Sequence, residues 1–476
     1  MIRYLCKTYV KLTSIPLNLQ NVVGRTYFSC PELSQPLQKE TKWTTSEEAV
    51  KCIKSGDTVF LSGAVATPIQ IPEDMAKYAK SAGLKNIKVV HFFTIGDIPY
   101  LAPDCKDIFH VVSLFISPNI REAVADGQAD VIPIFLSDIP KLFFHGIIKP
   151  DVCIVQVSPP DEHGFCTLGT NVEIARSALV SSKLIVAQVN KHMPRTFGDS
   201  LVHMSHIDYA VSLDVELIPT TLFSPTPSEG DPEMTISKLI GDNLVEDGAT
   251  VQTGFGKIPD GIMLSLKNHK DIGVHTEMFT DGVMNLVKSG VITNNKKTLS
   301  QGKITTSFFH GSSELYQFAD NNPLIEMRVA DYTNSQYIIS KHPKMTAINA
   351  CIEVDLTGQV VSDSIGTMMY SGFGGQLDFI KGAADGFDGK GKPIIATTSV
   401  DKNTGESKIV AILRPGSGVV VTRGHIHYVV TEFGIASLFG KTLRQRAHAL
   451  ISVAHPNHRE SLEKAAFARF KAMPCP

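Results

Sequence analysis

Long apolar runs, an excess of charge of either sign and paired cysteines are all missing from this sequence of 476 residues. No hydrophobic stretch approaches the roughly 20 residues that a membrane-crossing helix needs, so neither a span nor a membrane partner is expected. Lysine and arginine number 45 against 47 acids, and the net charge of −2 leaves no electrostatic footprint for nucleic acid. The eight cysteines are scattered without a Cys-x-x-Cys pair, a pattern of reduced thiols and not of a disulfide framework or a zinc site. No metal is expected.

Acidic residues are also missing from the N-terminus, where the first is Glu32. The preceding segment carries Arg3, Lys7, Lys11 and Arg25 among hydroxyl and apolar side chains, the composition of a mitochondrial presequence. Gly24-Arg-Thr-Tyr-Phe-Ser29 resembles an arginine-directed processing site, so residues 1–28 read as a removed leader and the matrix as the destination.

What is present is a folding composition. With 43% hydrophobic and 19% charged residues, the chain can build two or three domains with substantial cores. Proline, serine and threonine concentrate at Pro219-Thr-Thr-Leu-Phe-Ser-Pro-Thr-Pro-Ser-Glu-Gly-Asp-Pro232, which can continue neither a helix nor a central strand. The connection between domains is placed at 219–234, separating a lobe at 40–218 from a lobe at 235–476.

The two lobes share a weak repeat. Lys54-Ser-Gly-Asp-Thr-Val-Phe-Leu-Ser-Gly63 with Thr67-Pro68 matches Glu246-Asp-Gly-Ala-Thr-Val-Gln-Thr-Gly254 with Ile258-Pro259. Each reads as a turn, a short apolar strand, a glycine bend and a helix (from about Pro72 through Tyr78, and Pro259 through Leu266) that leads to a second strand, Ile87–Phe93 or Ile272–Thr276. That order is a βαβ unit, and its recurrence predicts an α/β protein of two related lobes with largely parallel sheets. Asp151–Val157, Leu184–Val189, Pro393–Thr397 and Gly418–Val421 read as further buried strands, and Arg444–Val453 and Glu460–Phe470 as helices.

The chemistry centres on Glu277, in Gly273-Val-His-Thr-Glu-Met-Phe-Thr-Asp-Gly282, downstream of the glycine turn Thr253-Gly-Phe-Gly-Lys-Ile-Pro-Asp-Gly261. A carboxylate where strand meets loop, beside backbone that can bind phosphate, is suited to attack an activated acyl group. A dinucleotide-binding dehydrogenase is the rival from another class, since Gly254-x-Gly256 opens a βαβ unit and Glu277 lies at a ribose-binding distance. That fingerprint wants a third glycine at 259, where this chain has Pro259. His425-Ile-His427 places two imidazoles on one side of a strand without a third ligand, so it reads, like His203 and His206, as packing.

Gly254-Phe-Gly-Lys-Ile-Pro259, Thr276-Glu277-Met278, Tyr370-Ser-Gly-Phe-Gly-Gly-Gln-Leu-Asp-Phe-Ile-Lys-Gly382, Val430-Thr-Glu-Phe-Gly-Ile-Ala436, Val157-Ser-Pro-Pro-Asp-Glu-His-Gly-Phe-Cys-Thr-Leu-Gly169 and Ala454-His-Pro456 together resemble the acetyl-CoA hydrolase/transferase family. Within it the chain is most similar to the 4-hydroxybutyrate and mitochondrial acetate:succinate CoA-transferase branch. The resemblance implies a class I CoA-transferase working as a homodimer, with Glu277 forming a glutamyl-CoA thioester and coenzyme A as substrate, no tightly bound cofactor being needed. It implies that Gly254, Phe255, Gly256, Lys257 and Ile258 line the CoA groove, with Lys392 as a phosphate partner and acyl-CoA and short carboxylic acids as ligands. The oxyanion would need bare backbone donors, for which Gly374 and Gly375, and Phe255, are suited. Glu432 is left without a definite role. Hydrolysis by the same glutamate is the alternative, because water or a carboxylic acid can resolve one and the same intermediate.

Overall fold

The computed structural model describes residues 31–220, 227–254 and 256–475, so the acid-free leader and Phe255 lie outside the described residues. Two parallel sheets organise the chain. The first is built from β1 (Lys42–Trp43), β2 (Thr58–Leu61), β3 (Ile87–His91), β4 (Phe109–Ser113), β5 (Ala129–Val131), β6 (Val152–Val157), β7 (Leu184–Asn190) and β8 (Tyr209–Leu213), in the order β1-β8-β7-β6-β2-β3-β4-β5. Every pair in it is parallel. All six residues of Val152-Cys-Ile-Val-Gln-Val157 are buried, as expected of a central strand covered on both faces.

The second sheet uses β9 (Thr250–Thr253) and β10 (Gly273–Val274). After the short β11 (Met278–Thr280) and β12 (Phe308–His310), which pair with each other, it continues through β13 (Thr346–Ala350), β14 (Lys392–Ala396), β15 (Tyr428–Thr431) and β16 (Gly434–Ser437). Its order is β10-β9-β13-β14-β15-β16, parallel until the final antiparallel hairpin.

Both repeat units are present. Helix α1 (Gln70–Ser81) connects β2 to its parallel neighbour β3. In the second lobe, α2 (Ala175–Ser181) and α3 (Pro232–Leu244) having intervened, α4 (Lys257–Ser265) connects β9 to β10 in the same way. The expected connection at 219–234 is trimmed at its end: Pro232 opens α3, where its fixed φ suits a first helical turn and its missing N–H costs nothing.

The segment Gly418–Val421 is not a strand. Val420 and Val421 are buried but make a single bridge to Val360, since glycines at 416 and 418 interrupt the run. His425 and His427 likewise precede β15 instead of alternating along it: His425 sits in a turn, 3.1 Å from the Thr422 hydroxyl, and His427 packs on Phe439 at 4.3 Å between ring centres. The C-terminal helices run over Leu443–Val453 and Pro456–Phe470, the second starting four residues earlier than expected because Pro456 again supplies a first turn.

The lobes are not independent. One apolar core runs from Val155, Leu168 and Val172 to Ile304, Phe309 and Met327, and Phe197–Gly198 adds a strand to Ile325–Met327. The turn Tyr370–Gly375 reaches back to the first lobe: Ile116 N–H donates to the Ser371 carbonyl (3.1 Å), and Leu136 N–H to the Gly374 carbonyl (2.9 Å). This seam holds the site.

Candidate active site

Glu277 lies just past the end of β10, and its main chain is pinned before its side chain is considered. Its carbonyl accepts from Ser307 N (2.9 Å), Phe308 N (3.0 Å) and the Thr306 hydroxyl (3.1 Å). The Thr276 hydroxyl donates to the Thr253 carbonyl at 3.3 Å, which ties this corner to the residue before Gly254. Two loops leaving the same end of one parallel sheet are thereby brought side by side, the usual place for a ligand crevice in such folds.

The carboxylate Oε2 accepts from Asn334 Nδ2 at 2.8 Å. The same amide reaches Asp378 Oδ2 at 3.4 Å, and Asp378 in turn accepts from the Ser137 hydroxyl (2.8 Å) and N–H (3.3 Å) across the seam. Gly375 completes the contact. A methyl group there would overlap both Glu277 Oε2 and Asn334 Nδ2, so only a residue without Cβ allows this approach. Gly375 caps α6 (Gln376–Ala384), whose first N–H groups have no intrahelical partner. Gly374 adopts φ +52° while its carbonyl is held by Leu136.

Burial pushes the Glu277 carboxyl up to about 7, against the opposing pull of the Asn334 amide. The side chain nevertheless keeps part of its surface open, so it is both destabilised as an anion and reachable. Two more acids share this environment. Asp378 is raised to about 7 and Glu173 to about 8, each chiefly by burial and each pushed further in the same direction by the charge of Glu277.

The glycine turn lies beside this cluster. Gly254 borders open space, with nothing within 4 Å of a Cβ placed there, and Gly256 takes φ +119° to start α4. Lys257 Nζ stands 3.6 Å from Asp231, and Ile258 is buried, its carbonyl accepting from Ser237 (2.9 Å). The structure does not bring Lys392 here. It opens β14, at the opposite end of the parallel strands from Gly254 and Glu277, and its ammonium pairs with Glu246 at 2.7 Å. Glu432 braces the Ser399 loop through the N–H (2.9 Å) and hydroxyl (2.5 Å) of that serine. His203 is held by Ser205 and the His163 carbonyl, and His206 by the Gln35 carbonyl. Among the described residues no cluster of three side chains suits a metal ion, and no helix is long and apolar enough to cross a membrane.

A family model described as the acetyl-CoA hydrolase/transferase N-terminal domain matches residues 31–221, and its C-terminal counterpart matches residues 311–466. The chain belongs to the acetyl-CoA hydrolase/transferase family. The chain is 50% identical over 436 residues to a succinyl-CoA:acetate/propanoyl-CoA:succinate CoA transferase of Fasciola hepatica, covering 91% of this chain and 90% of that one. It is 43% identical to a 4-hydroxybutyrate coenzyme A transferase of Clostridium kluyveri, covering 90% and 98%. The crystal structure of a 4-hydroxybutyrate CoA-transferase from Porphyromonas gingivalis superposes with a TM-score of 0.75 at 36% identity, covering 90% of this chain and 98% of that one. The chain is an enzyme of the CoA-transferase type, and membership of this family displaces the dehydrogenase reading of the glycine turn.

Asn334, Asp378, Ser137 and Glu173 were not singled out from the sequence. Asp378 falls inside the Tyr370–Gly382 motif, a signal that could have found it; the others stand in segments with no marked pattern.

Proposed function

We propose that the protein passes CoA between succinate and acetate or a similar short acid through a thioester on Glu277. The observation that carries this reading is a reachable carboxylate, destabilised by burial, bonded to Asn334 at 2.8 Å and seated against the backbone of Gly375. Its attack on the donor thioester forms an acyl-glutamyl anhydride and releases CoA thiolate. The thiolate then attacks the glutamyl carbonyl, frees the donor acid and leaves glutamyl-CoA. A second acid reverses both steps, and every intermediate keeps the activation of the thioester.

Asn334 Nδ2 and the Gly375 N–H are placed to hold the developing oxyanion, each such donor contributing roughly 2.7–4 kcal/mol. Gly254, Gly256, Lys257 and Ile258 form the proposed CoA groove, its phosphates favoured by the start of α4. Lys392 is left out of that groove because of its pairing with Glu246. The names of the relatives support short acids as partners.

Incubation with acetyl-CoA alone is expected to add the mass of CoA to the peptide containing Glu277, and two-substrate kinetics to give parallel lines. Intersecting lines without an adduct would refute the mechanism. Acetyl-CoA consumption equally fast with and without succinate would instead make the protein a hydrolase with the same nucleophile.

The same proposal includes import into the mitochondrial matrix and a homodimer, the first supported by the acid-free residues 1–31 and by a relative from an animal. Protein from tissue should begin near Phe28 or Ser29; an intact Met1 on it would contradict import. Sedimentation of the purified protein should give twice the chain mass, and a monomer would remove the dimer from the proposal.

A further inference from the structure

Glu173 is a buried acid to which the transfer chemistry assigns no task. It follows Asn171 in the segment leading into α2, and its side chain is only 1% exposed. Oε1 accepts from Asn171 Nδ2 at 3.0 Å, and that amide also donates to the Gly63 carbonyl at 2.8 Å. Oε2 is buried without a hydrogen-bond partner, as are Asn171 Oδ1 and Asn334 Oδ1.

The backbone places this acid next to the nucleophile. Glu173 N–H donates to the Ser307 carbonyl at 3.4 Å, while Ser307 N–H donates to the Glu277 carbonyl at 2.9 Å. One residue therefore bridges the two glutamates. The Glu173 carbonyl accepts from Ala330 N at 2.8 Å, at the start of α5 (Ala330–Thr333), the helix that ends beside Asn334.

A carboxylate buried with one bare oxygen is an uncompensated charge, and removing such a charge from water costs several kcal/mol. Two neighbouring carboxyls in one dry seam do not both ionise readily. Glu277 has an amide donor on Oε2 and partial access to solvent; Glu173 has neither on its own Oε2. We propose that Glu173 is a positioning residue held as the neutral acid, which keeps a bare, unpaired carboxylate charge away from Glu277.

This rests on the CoA-transfer reading and gives that reading a working window. Burial pushes Glu173 to about 8, against the pull of Asn171 and with a further push from the charge of Glu277. Between about 7 and about 8 the nucleophile is ionised and its neighbour is not. The proton stays on Glu173 throughout the transfer. Above that window the bare charge of Glu173 faces the oxyanion and the incoming thiolate. Asp378, raised to about 7, ionises over the same range as Glu277, but its charge is met by the Asn334 amide and by the Ser137 hydroxyl and N–H. The remaining ionisable groups on the packed segments are held by other partners or by burial. Arg328 lies 3.4 Å from Asp199, Asp331 responds mainly to its burial and to Asp199, and burial pushes His310 down to about 4.

The test compares wild type with Glu173→Gln, which keeps shape and neutrality, measuring both the CoA adduct on Glu277 and kcat/KM from pH 6 to 10. Wild type should form the adduct and lose rate above about pH 8, approaching tenfold per pH unit. E173Q should form the adduct, stay within about threefold of wild type at pH 7.5, and lack the alkaline fall. If the wild type forms an adduct but E173Q keeps the same alkaline limb, or is inactive though folded, the neutral-acid proposal is wrong and the transfer reading stands. If the wild type forms no adduct, both fall. Infrared titration of protein carrying carbon-13 glutamate reads the same proton without a substitution. The last glutamate acid to ionise should do so near pH 8 and be missing in E173Q, and a wild type with every glutamate ionised by pH 7 would overturn the proposal.

Discussion

Replacing Gly375 by alanine is the sharpest perturbation of the site, because one methyl group acts on two functional atoms at once. The added Cβ would overlap Glu277 Oε2 and Asn334 Nδ2, so the carboxylate must retreat by roughly 1.5 Å to reach an ordinary contact distance. That retreat breaks the 2.8 Å bond from Asn334, a hydrogen bond to a charged group contributing about 1.5–3 kcal/mol. It also moves the proposed nucleophile relative to the proposed oxyanion donors, and a misplacement of about 1 Å can alone cost about a hundredfold. The two effects overlap, so the expected loss is about 100- to 1,000-fold in kcat, or about 3–4 kcal/mol of barrier. The affected atoms lie at the seam and not in the apolar core, so the melting temperature should change little. Stopped-flow measurement of adduct formation from acetyl-CoA isolates the first half-reaction from acid binding. A folded G375A enzyme within fivefold of wild type would refute the claim that close backbone approach positions Glu277.

Two further outcomes follow from the same geometry. Asn334→Ala removes the donor that opposes the rise of the Glu277 carboxyl. In the proposed mechanism the anion is the nucleophile, so activity should rise with pH through about 7 and the acid limb of the variant should move to higher pH; an unmoved limb would show that the amide does not face the carboxylate in solution. Lys392→Ala should leave the KM for acyl-CoA within about twofold of wild type and cost less than about 1 kcal/mol of stability, because its partner Glu246 is exposed; a tenfold rise in KM would return this lysine to the CoA groove.

The parallel α/β fold was legible because buried strands and proline-opened helices leave local marks. The run Val152–Val157, apolar but for Gln156, needs no partner to be read as a central strand, and the two glycine bends at Gly63 and Gly254 mark matching βαβ units. Where local marks competed, the reading slipped. Val420 and Val421 are as buried as any strand, yet the flanking glycines leave them a single bridge.

The proposed nucleophile Glu277 was offered by the sequence too, through the motifs around it and the glycine turn that precedes it in one βαβ unit. Its environment was not. Asn334 is 57 residues away and Ser137 reaches Asp378 across 241, so hydrogen-bonding side chains that define the site carry no mutual spacing in the chain. The same limit explains Lys392. It was offered as a phosphate partner alongside the family resemblance, but the parallel register carries it to the far end of the sheet, where it pairs with Glu246. The sequence by itself determined which segments form buried strands, where two of them turn on glycine, and which carboxylate follows the second such turn, because these depend on neighbours a few residues apart. Only the tertiary structure decided that three acids share one seam, that Glu277 alone of the three keeps an opening to solvent, and that Gly375 has no room for a side chain. Desolvation and charge repulsion act through space, and only the assembled lobes set those distances.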